Sequence, residues 1–235
     1  MAYHIDLAKN YCSCPHWKYQ RLPVALRTCK HLRAAGQDPT TLQPLMTKRS
    51  HKPIHFQLFR NREPPLNMSS QHVASRKFNG IRVAWLPDGS LVTRGNNVIH
   101  RLPQFRRDFG GRKYTFDCEL VKAGSSHTTH VDVMAAINSK QGLSDLWLAL
   151  FDVIMNDNMN EPYVSRRRRL PSTIPENVNA VVVPLMMWPT MLSSARLRVI
   201  KEELRNLGWE GLVVRDAHET KRRKRVGYKV LAAVE

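Results

Sequence analysis

Acidic residues are scarce in this 235-residue chain: 19 Asp and Glu stand against 37 Lys and Arg, a formal charge of +18 at pH 7. Such an excess repels itself in a compact fold unless a polyanion neutralises it, which points to nucleic acid as the partner. No apolar run approaches the ~20 residues that cross a bilayer, and the opening Met-Ala-Tyr-His-Ile-Asp has no signal-peptide character. Membrane spanning and ordinary secretion are therefore not expected. The basic residues are spread along the chain and not gathered on one amphipathic helix, which argues against a membrane-surface role. Repeats and low-complexity tracts are missing too. Cysteine is sparse, with four in the whole chain, far below a disulfide scaffold. The expected compartment is reducing and intracellular, the cytoplasm or that of an infected host cell. What is present is 42% hydrophobic residues, enough for a packed core.

Three of the four cysteines lie near the start, in Cys12-Ser13-Cys14-Pro15-His16 and Thr28-Cys29-Lys30-His31-Leu32. Three thiolates and an imidazole make a closed tetrahedral set suited to a structural Zn²⁺. So short a segment cannot build a self-sufficient core, and metal binding has to supply its folding free energy. The expected ligands are Cys12, Cys14, Cys29 and His31; His16 and His4 are rivals, and His31 is preferred because it completes the second pair. The pattern resembles the SWIM zinc finger, Cys-x-Cys-x(n)-Cys-x-His, over about residues 3–35. That resemblance implies nucleic-acid or protein binding and no catalysis. The expected organisation is a finger over 1–38 and a larger domain over 39–235, with a turn-rich linker or strand at 36–53.

Beyond residue 73 the chain turns to short β-rich runs. Residues 81–86 and 91–93 flank Pro87-Asp88-Gly89-Ser90, a hairpin signal. Strands are expected at 114–121, 146–155, 180–185, 212–215 and 226–231. A short helix is expected at 131–140. The best helix is 191–207, with Leu192, Ala195, Val199, Ile200, Leu204 and Leu207 on one face and Gly208 as its stop. Strands outnumber helices and come as hairpins, so the fold class is α+β with mainly antiparallel sheets.

Several short motifs carry chemistry-bearing side chains. Lys77-Phe78-Asn79-Gly80-Ile81-Arg82 has Arg76 beside the lysine and a glycine that lets backbone approach a phosphate. Thr93-Arg94-Gly95 follows the hairpin. Phe116-Asp117-Cys118-Glu119-Leu120 places two carboxylates on one strand face. Phe151-Asp152 ends an apolar run, Glu210 opens Glu-Gly-Leu-Val-Val-Arg at 210–215, and Lys229 lies near the end of the sequence. One lysine, separated carboxylates for Mg²⁺ and a set of cations are what chemistry at a nucleotide α-phosphate needs.

In this order the motifs look like the covalent nucleotidyltransferase superfamily, and most like ATP-dependent DNA ligases of the small viral or phage type. The resemblance runs from about residue 42 to the end. It implies a two-sheet adenylation domain, with Lys77 as the adenylated nucleophile. It further implies Arg82, Arg94, Glu119, Phe151, Glu210, Arg215 and Lys229 around the nucleotide, and Glu119 and Glu210 near Mg²⁺. Implied too are ATP as substrate, nicked duplex DNA held mainly through its backbone, a monomer, and a role in replication, repair or recombination. Three departures stand out. Asn79 replaces an aspartate, Leu231 replaces a second lysine, and no OB-fold domain is expected after Lys229. The basic runs 166–169 and 221–225 are expected to meet the phosphate backbone. An RNA ligase shares these motifs, a capping guanylyltransferase fits them less well, and a zinc-dependent nucleic-acid-binding protein with a decayed transferase site is the rival from another class.

Overall fold

Two units make up the chain, Met1–Thr47 and Lys48–Glu235, in a computed structural model. It describes residues 3–9, 11–19, 27, 29–36, 46–49, 54, 56–60, 62–68, 70–100, 102–105, 114–123, 129–139, 143–154, 160–174, 178–220 and 227–232. The boundary expected at 38/39 and the basic run 221–225 lie outside these residues.

In the first unit β1 (Ile5–Asp6) and β2 (Tyr11–Cys12) form an antiparallel pair. Two short helices follow, α1 (Pro15–Lys18) and α2 (Lys30–Ala34), and each starts at a cysteine. The Cys14 thiol accepts the Trp17 N–H at 3.4 Å and the Cys29 thiol accepts the Leu32 N–H at 3.4 Å, so sulfur takes the part that Ser or Asp plays at an ordinary helix start. Pro15 sits at the first helical position, where its missing N–H costs nothing. The buried cluster is small: Cys12, Cys14, Trp17, Cys29 and Leu32, with Ile5 against it.

The second unit is built on two sheets, and β3 straddles its boundary with the first. Its strands are β3 (Met46–Lys48), β4 (His72–Lys77), β5 (Ile81–Trp85), β6 (Leu91–Thr93), β7 (Asn97–Ile99), β8 (Thr115–Lys122), β9 (Leu146–Ile154), β10 (Ala180–Val182), β11 (Met186–Trp188), β12 (Gly211–Asp216) and β13 (Tyr228–Leu231). Three longer helices accompany them: α3 (His130–Ser139), α4 (Tyr163–Thr173) and α5 (Ser194–Asn206). The larger sheet runs β10-β9-β8-β5-β6-β7-β3 and the smaller β11-β4-β12-β13. The fold is α+β and mainly antiparallel; β9 and β10 pair in parallel. The turn at 87–90 forms as its residues dictate, with the Leu86 N–H donating to Ser90 O at 2.9 Å and Gly89 at φ 77°.

The connection from β4 to β5 passes from one sheet to the other within three residues. Gly80 makes that possible, because a Cβ there would lie 2.2 Å from the Leu120 carbonyl oxygen. Gly80→Ala is expected to cost ~1–3 kcal/mol, as overpacking against fixed backbone does, and urea unfolding measures it. An alanine variant as stable as the parent would contradict the close approach.

The last helix differs from expectation. Helix α5 starts at Ser194, because the Ser193 hydroxyl caps it by accepting the Arg196 N–H at 3.1 Å, while Met191 is in a β-bridge with Asn67. Its inward stripe is Leu197, Ile200 and Leu204, packed on Ala74, Leu212, Val214 and Val230; Ala195, Val199 and Leu207 face solvent. The stripe follows the i, i+3, i+7 spacing counted from the true first turn. Each fully buried aliphatic of this kind contributes ~1.5–3 kcal/mol by leaving water.

Candidate active site

A cavity of about 400 Å³ is lined by side chains of both sheets. The smaller sheet contributes Lys77 from the end of β4, Arg215 from β12 and Lys229 from β13; the larger contributes Arg82 from β5, Glu119 from β8 and Phe151 from β9. Arg94 also lines it, presented by a tight turn in which the Asn96 N–H donates to Thr93 O at 2.8 Å and Asn96 is left-handed at φ 61°. Glu210 precedes β12, and the Lys77 ammonium donates to its Oε1. Lys77 lies opposite Gly211, the last pair of the β4–β12 ladder, which brings the two side chains near each other. Lys77, Arg82, Arg94, Glu119, Phe151, Arg215 and Lys229 therefore line one cavity, and Glu210 adjoins it through Lys77.

Arg82 is fixed by a bidentate pair with Asp117, Nε to Oδ1 at 2.9 Å and a terminal nitrogen to Oδ2 at 2.8 Å. Burial works against the Arg82 charge, but Asp117 outweighs it and holds the pKa above its ordinary value. Its guanidinium carbon also lies 5.3 Å from the Phe59 ring centre and 5.8 Å from that of Phe151. Burial pushes the Glu119 carboxyl up to about 7, against the pull of Arg82, Lys77 and the Gly80 N–H. That N–H donates to Glu119 Oε1 at 3.2 Å. Glu210 Oε2 is buried and makes no hydrogen bond among the described residues. Glu119 lines the cavity and Glu210 adjoins it through Lys77, and carboxylate oxygens with an unused acceptor suit a hard divalent cation such as Mg²⁺.

Behind the cavity is a charged network that inspection of the motifs missed. Arg166 meets Asp152 bidentately at 2.9 and 3.0 Å, and both are essentially inaccessible to solvent. Arg215 is 2% exposed and pairs with Glu219, with Gln57 at 2.8 Å and with Asp152 at 3.7 Å. Its guanidinium carbon lies 3.8 Å from the centre of the Tyr163 ring. Burial disfavours the Arg215 charge, yet Glu219, Tyr163 and Asp152 together raise its pKa. Tyr163 in turn donates its hydroxyl to the Phe151 carbonyl at 3.1 Å, so this network backs the strand that carries Phe151.

The run 166–169 is thus corrected: it is not a phosphate-binding face as a whole. Arg166 and Arg167 point inward from α4, Arg167 donating to the carbonyls of Leu150 and Val183. Only Arg168 and Arg169 are exposed, and Arg169 pairs with Glu161 at 2.8 Å.

In the first unit the ligand atoms of Cys12, Cys14, Cys29 and His31 lie within 4.8 Å of one another. His31 Nδ1 is 3.9 Å from the Cys12 and Cys29 sulfurs. Tetrahedral zinc bonds of ~2.3 Å to sulfur and ~2.0 Å to nitrogen set neighbouring ligand atoms about 3.5–3.8 Å apart, so the cluster is compatible with Zn²⁺. Burial pushes the Cys12 thiol up to about 11. At Cys14 burial acts upward too, but the Trp17 N–H, His31 and the neighbouring thiols outweigh it and bring the group down to about 7. His4 and His16 are not part of the cluster.

Solved structures share the architecture of the body. A Lig E DNA ligase superposes with a TM-score of 0.58 at 21% identity, over 76% of this chain and 69% of that one. The fold is that of DNA ligase adenylation domains. A mycobacterial DNA ligase D complexed with ATP matches at TM-score 0.54 and 21% identity, over 74% of this chain and 58% of that one. The Chlorella virus DNA ligase-adenylate matches at TM-score 0.51 and 16% identity, over 72% and 62%. The chain thus spans less than two thirds of these last two ligases. No protein-family model matches the sequence, and no curated protein does. Among the described residues no helix is long and apolar enough to cross a membrane.

Proposed function

We propose that this protein is an ATP-dependent polynucleotide ligase acting on nicked duplex DNA through a lysyl-AMP intermediate, in replication, repair or recombination. The observation that carries the reading is the Lys77–Glu210 contact at a cavity shared with Arg82, Arg94, Glu119, Phe151 and Lys229. The Lys77 ammonium gives one proton to Glu210 and its nitrogen attacks the α-phosphorus of ATP; the P–N bond forms as the bond to pyrophosphate breaks, pyrophosphate leaves with the electron pair, and the second N–H proton passes to water. Glu210 orients the amine, Phe151 offers a ring for the base, and Arg82, Arg94 and Lys229 face the sugar and phosphates. Glu119 and Glu210 would hold Mg²⁺, which neutralises charge developing on the phosphates. AMP then passes to the 5′-phosphate of a nick, and the 3′-hydroxyl displaces it. Positioning and charge stabilisation supply most of the acceleration. Asn79 keeps the reach of the family's aspartate without its charge, and Leu231 leaves one cation fewer on β13.

Sealing of nicked DNA duplex in ATP and Mg²⁺ tests the substrate. DNA sealed faster than the matching nicked RNA supports the reading; RNA sealed faster makes it an RNA ligase. Tight DNA binding with no sealing and no AMP transfer favours the decayed-site rival.

The first unit, residues 1–38 by sequence, reads as a SWIM-type zinc finger that adds basic groups to DNA binding. Among its described residues Lys9, Lys18, Arg27, Lys30 and Arg33 face a single acidic residue, Asp6. Structural zinc contributes ~10–16 kcal/mol to folding such segments. A chelator is expected to unfold this unit while the body keeps its fold, as read from dispersed amide signals in proton–nitrogen spectra. Signals of residues 3–36 unchanged after chelation would sink the zinc reading.

A further inference from the structure

The backbone ladder between β4 and β12 ends at the pair Lys77–Gly211, so on the β4 side no backbone pair holds Phe78 against Glu210; on the β13 side the Glu210 carbonyl accepts the Ala232 N–H at 3.1 Å. Just past that end is a stack whose Arg76 and Phe78 also line the cavity but to which the reaction above gives no part. The Arg76 guanidinium carbon lies 4.8 Å from the Phe78 ring centre and 4.8 Å from that of Trp209. Phe78 follows Lys77 in the chain and Trp209 precedes Glu210. The two rings that close on the guanidinium therefore belong to the immediate neighbours of the contacting pair. A planar guanidinium can offer a face to each of two rings, which a compact ammonium cannot. The stack is also anchored from behind. Arg76 pairs with Leu212 across the ladder, and Leu212 and Trp209 both pack in the core that β12 shares with α5.

We infer that Arg76 is a positioning residue: clamped between Phe78 and Trp209, it extends the β4–β12 register beyond the last backbone pair and keeps the Lys77 amine on the Glu210 carboxylate. Arg76 does not touch the reacting atoms in this role. It acts through the two residues beside them, and its expected effect is on the rate at saturating ATP and not on ATP affinity. The inference rests on the adenylate-transfer reading.

Four variants test it: Arg76→Met, Arg76→Lys, Trp209→Leu and the double variant Arg76→Met/Trp209→Leu. Each single change is expected to lower the AMP-transfer rate at saturating ATP by ~10-fold or more, the order of effect that slight misplacement of a reacting group produces. The KM for ATP should move little, and in the two Arg76 variants the thermal midpoint should too; Trp209→Leu also loses core packing, so its rate is compared at a temperature where it is fully folded. Lysine should fail to rescue, because charge without a planar face does not stack. The double variant should be no slower than the slower single one, since the two residues form one device. A parental rate in Arg76→Met or Arg76→Lys, additive losses in the double, or losses that track the thermal midpoint would overturn the proposal. A second readout does not need catalysis: acylation of Lys77 by an amine-directed reagent, followed by peptide mass. Loss of the clamp frees the amine from Glu210, so acylation should quicken in all four variants, and unchanged acylation would also overturn it. If the parent protein takes no AMP from ATP, the ligase reading fails, and the acylation series alone decides whether the clamp exists.

Discussion

Asp152→Ala is expected to cost ~3–5 kcal/mol, because it strands the buried Arg166 guanidinium and removes one partner of buried Arg215. Asp152 is fully buried, takes both nitrogens of Arg166 at 2.9 and 3.0 Å, and stands 3.7 Å from Arg215. Without it, among the described residues, Arg166 keeps the carbonyls of Glu161 and Glu219 and the face of the Tyr163 ring, and no carboxylate. Arg215 keeps Glu219, so the main injury is at Arg166. Against a total stability of ~5–15 kcal/mol, that loss removes a large share of the folded margin. A drop of about 10 °C or more in thermal midpoint is expected for a domain of this size, and calorimetry measures it. The double variant Asp152→Ala/Arg166→Met should recover part of the loss, since it removes the unpaired charge along with its partner. A single variant less than ~1 kcal/mol below the parent would mean that water reaches Arg166 and that the network is not dry.

The contrast between the two halves of the arginine run explains what the sequence makes legible. Strand positions are readable where apolar runs end in turn chemistry, as with the turn at 87–90 between β5 and β6. The site is readable because each of its residues sits at a strand end or in a short motif with its own spacing. Arg166 and Arg167 are not readable in the same way. Four consecutive arginines look alike, and only the helical period separates the inward pair from the exposed Arg168 and Arg169. The deciding partner, Asp152, lies fourteen residues earlier on β9, so the pairing exists only once α4 packs on that strand. Asp117 shows a milder case: its place two residues before Glu119 is visible, but not that it is spent on Arg82. Helix α5 fails at its start for a local reason. Met191 extends the apolar pattern, yet the Ser193 cap stops the helix short of it.

Lys77→Ala is expected to abolish covalent capture of AMP altogether, because among the described residues no other amine is placed on the Glu210 carboxylate. Fold stability should change little. Lys77 is only partly buried, and its partner Glu210 keeps access to solvent, so neither charge is stranded in a dry interior. A stable protein that has lost one reaction is the signature of a nucleophile, and it separates Lys77 from Asp152, whose loss should unfold the chain first. Residual capture at more than a trace would mean that a second nucleophile serves the site.

The most direct test is to incubate the protein with ATP and Mg²⁺, digest it, and map any AMP adduct by peptide mass and fragmentation. The adduct is predicted on Lys77 through a P–N bond, formed from ATP in preference to GTP and absent from Lys77→Ala. An adduct on a different residue, or none from either nucleotide in a folded protein, would contradict the assignment of this cavity to adenylate transfer.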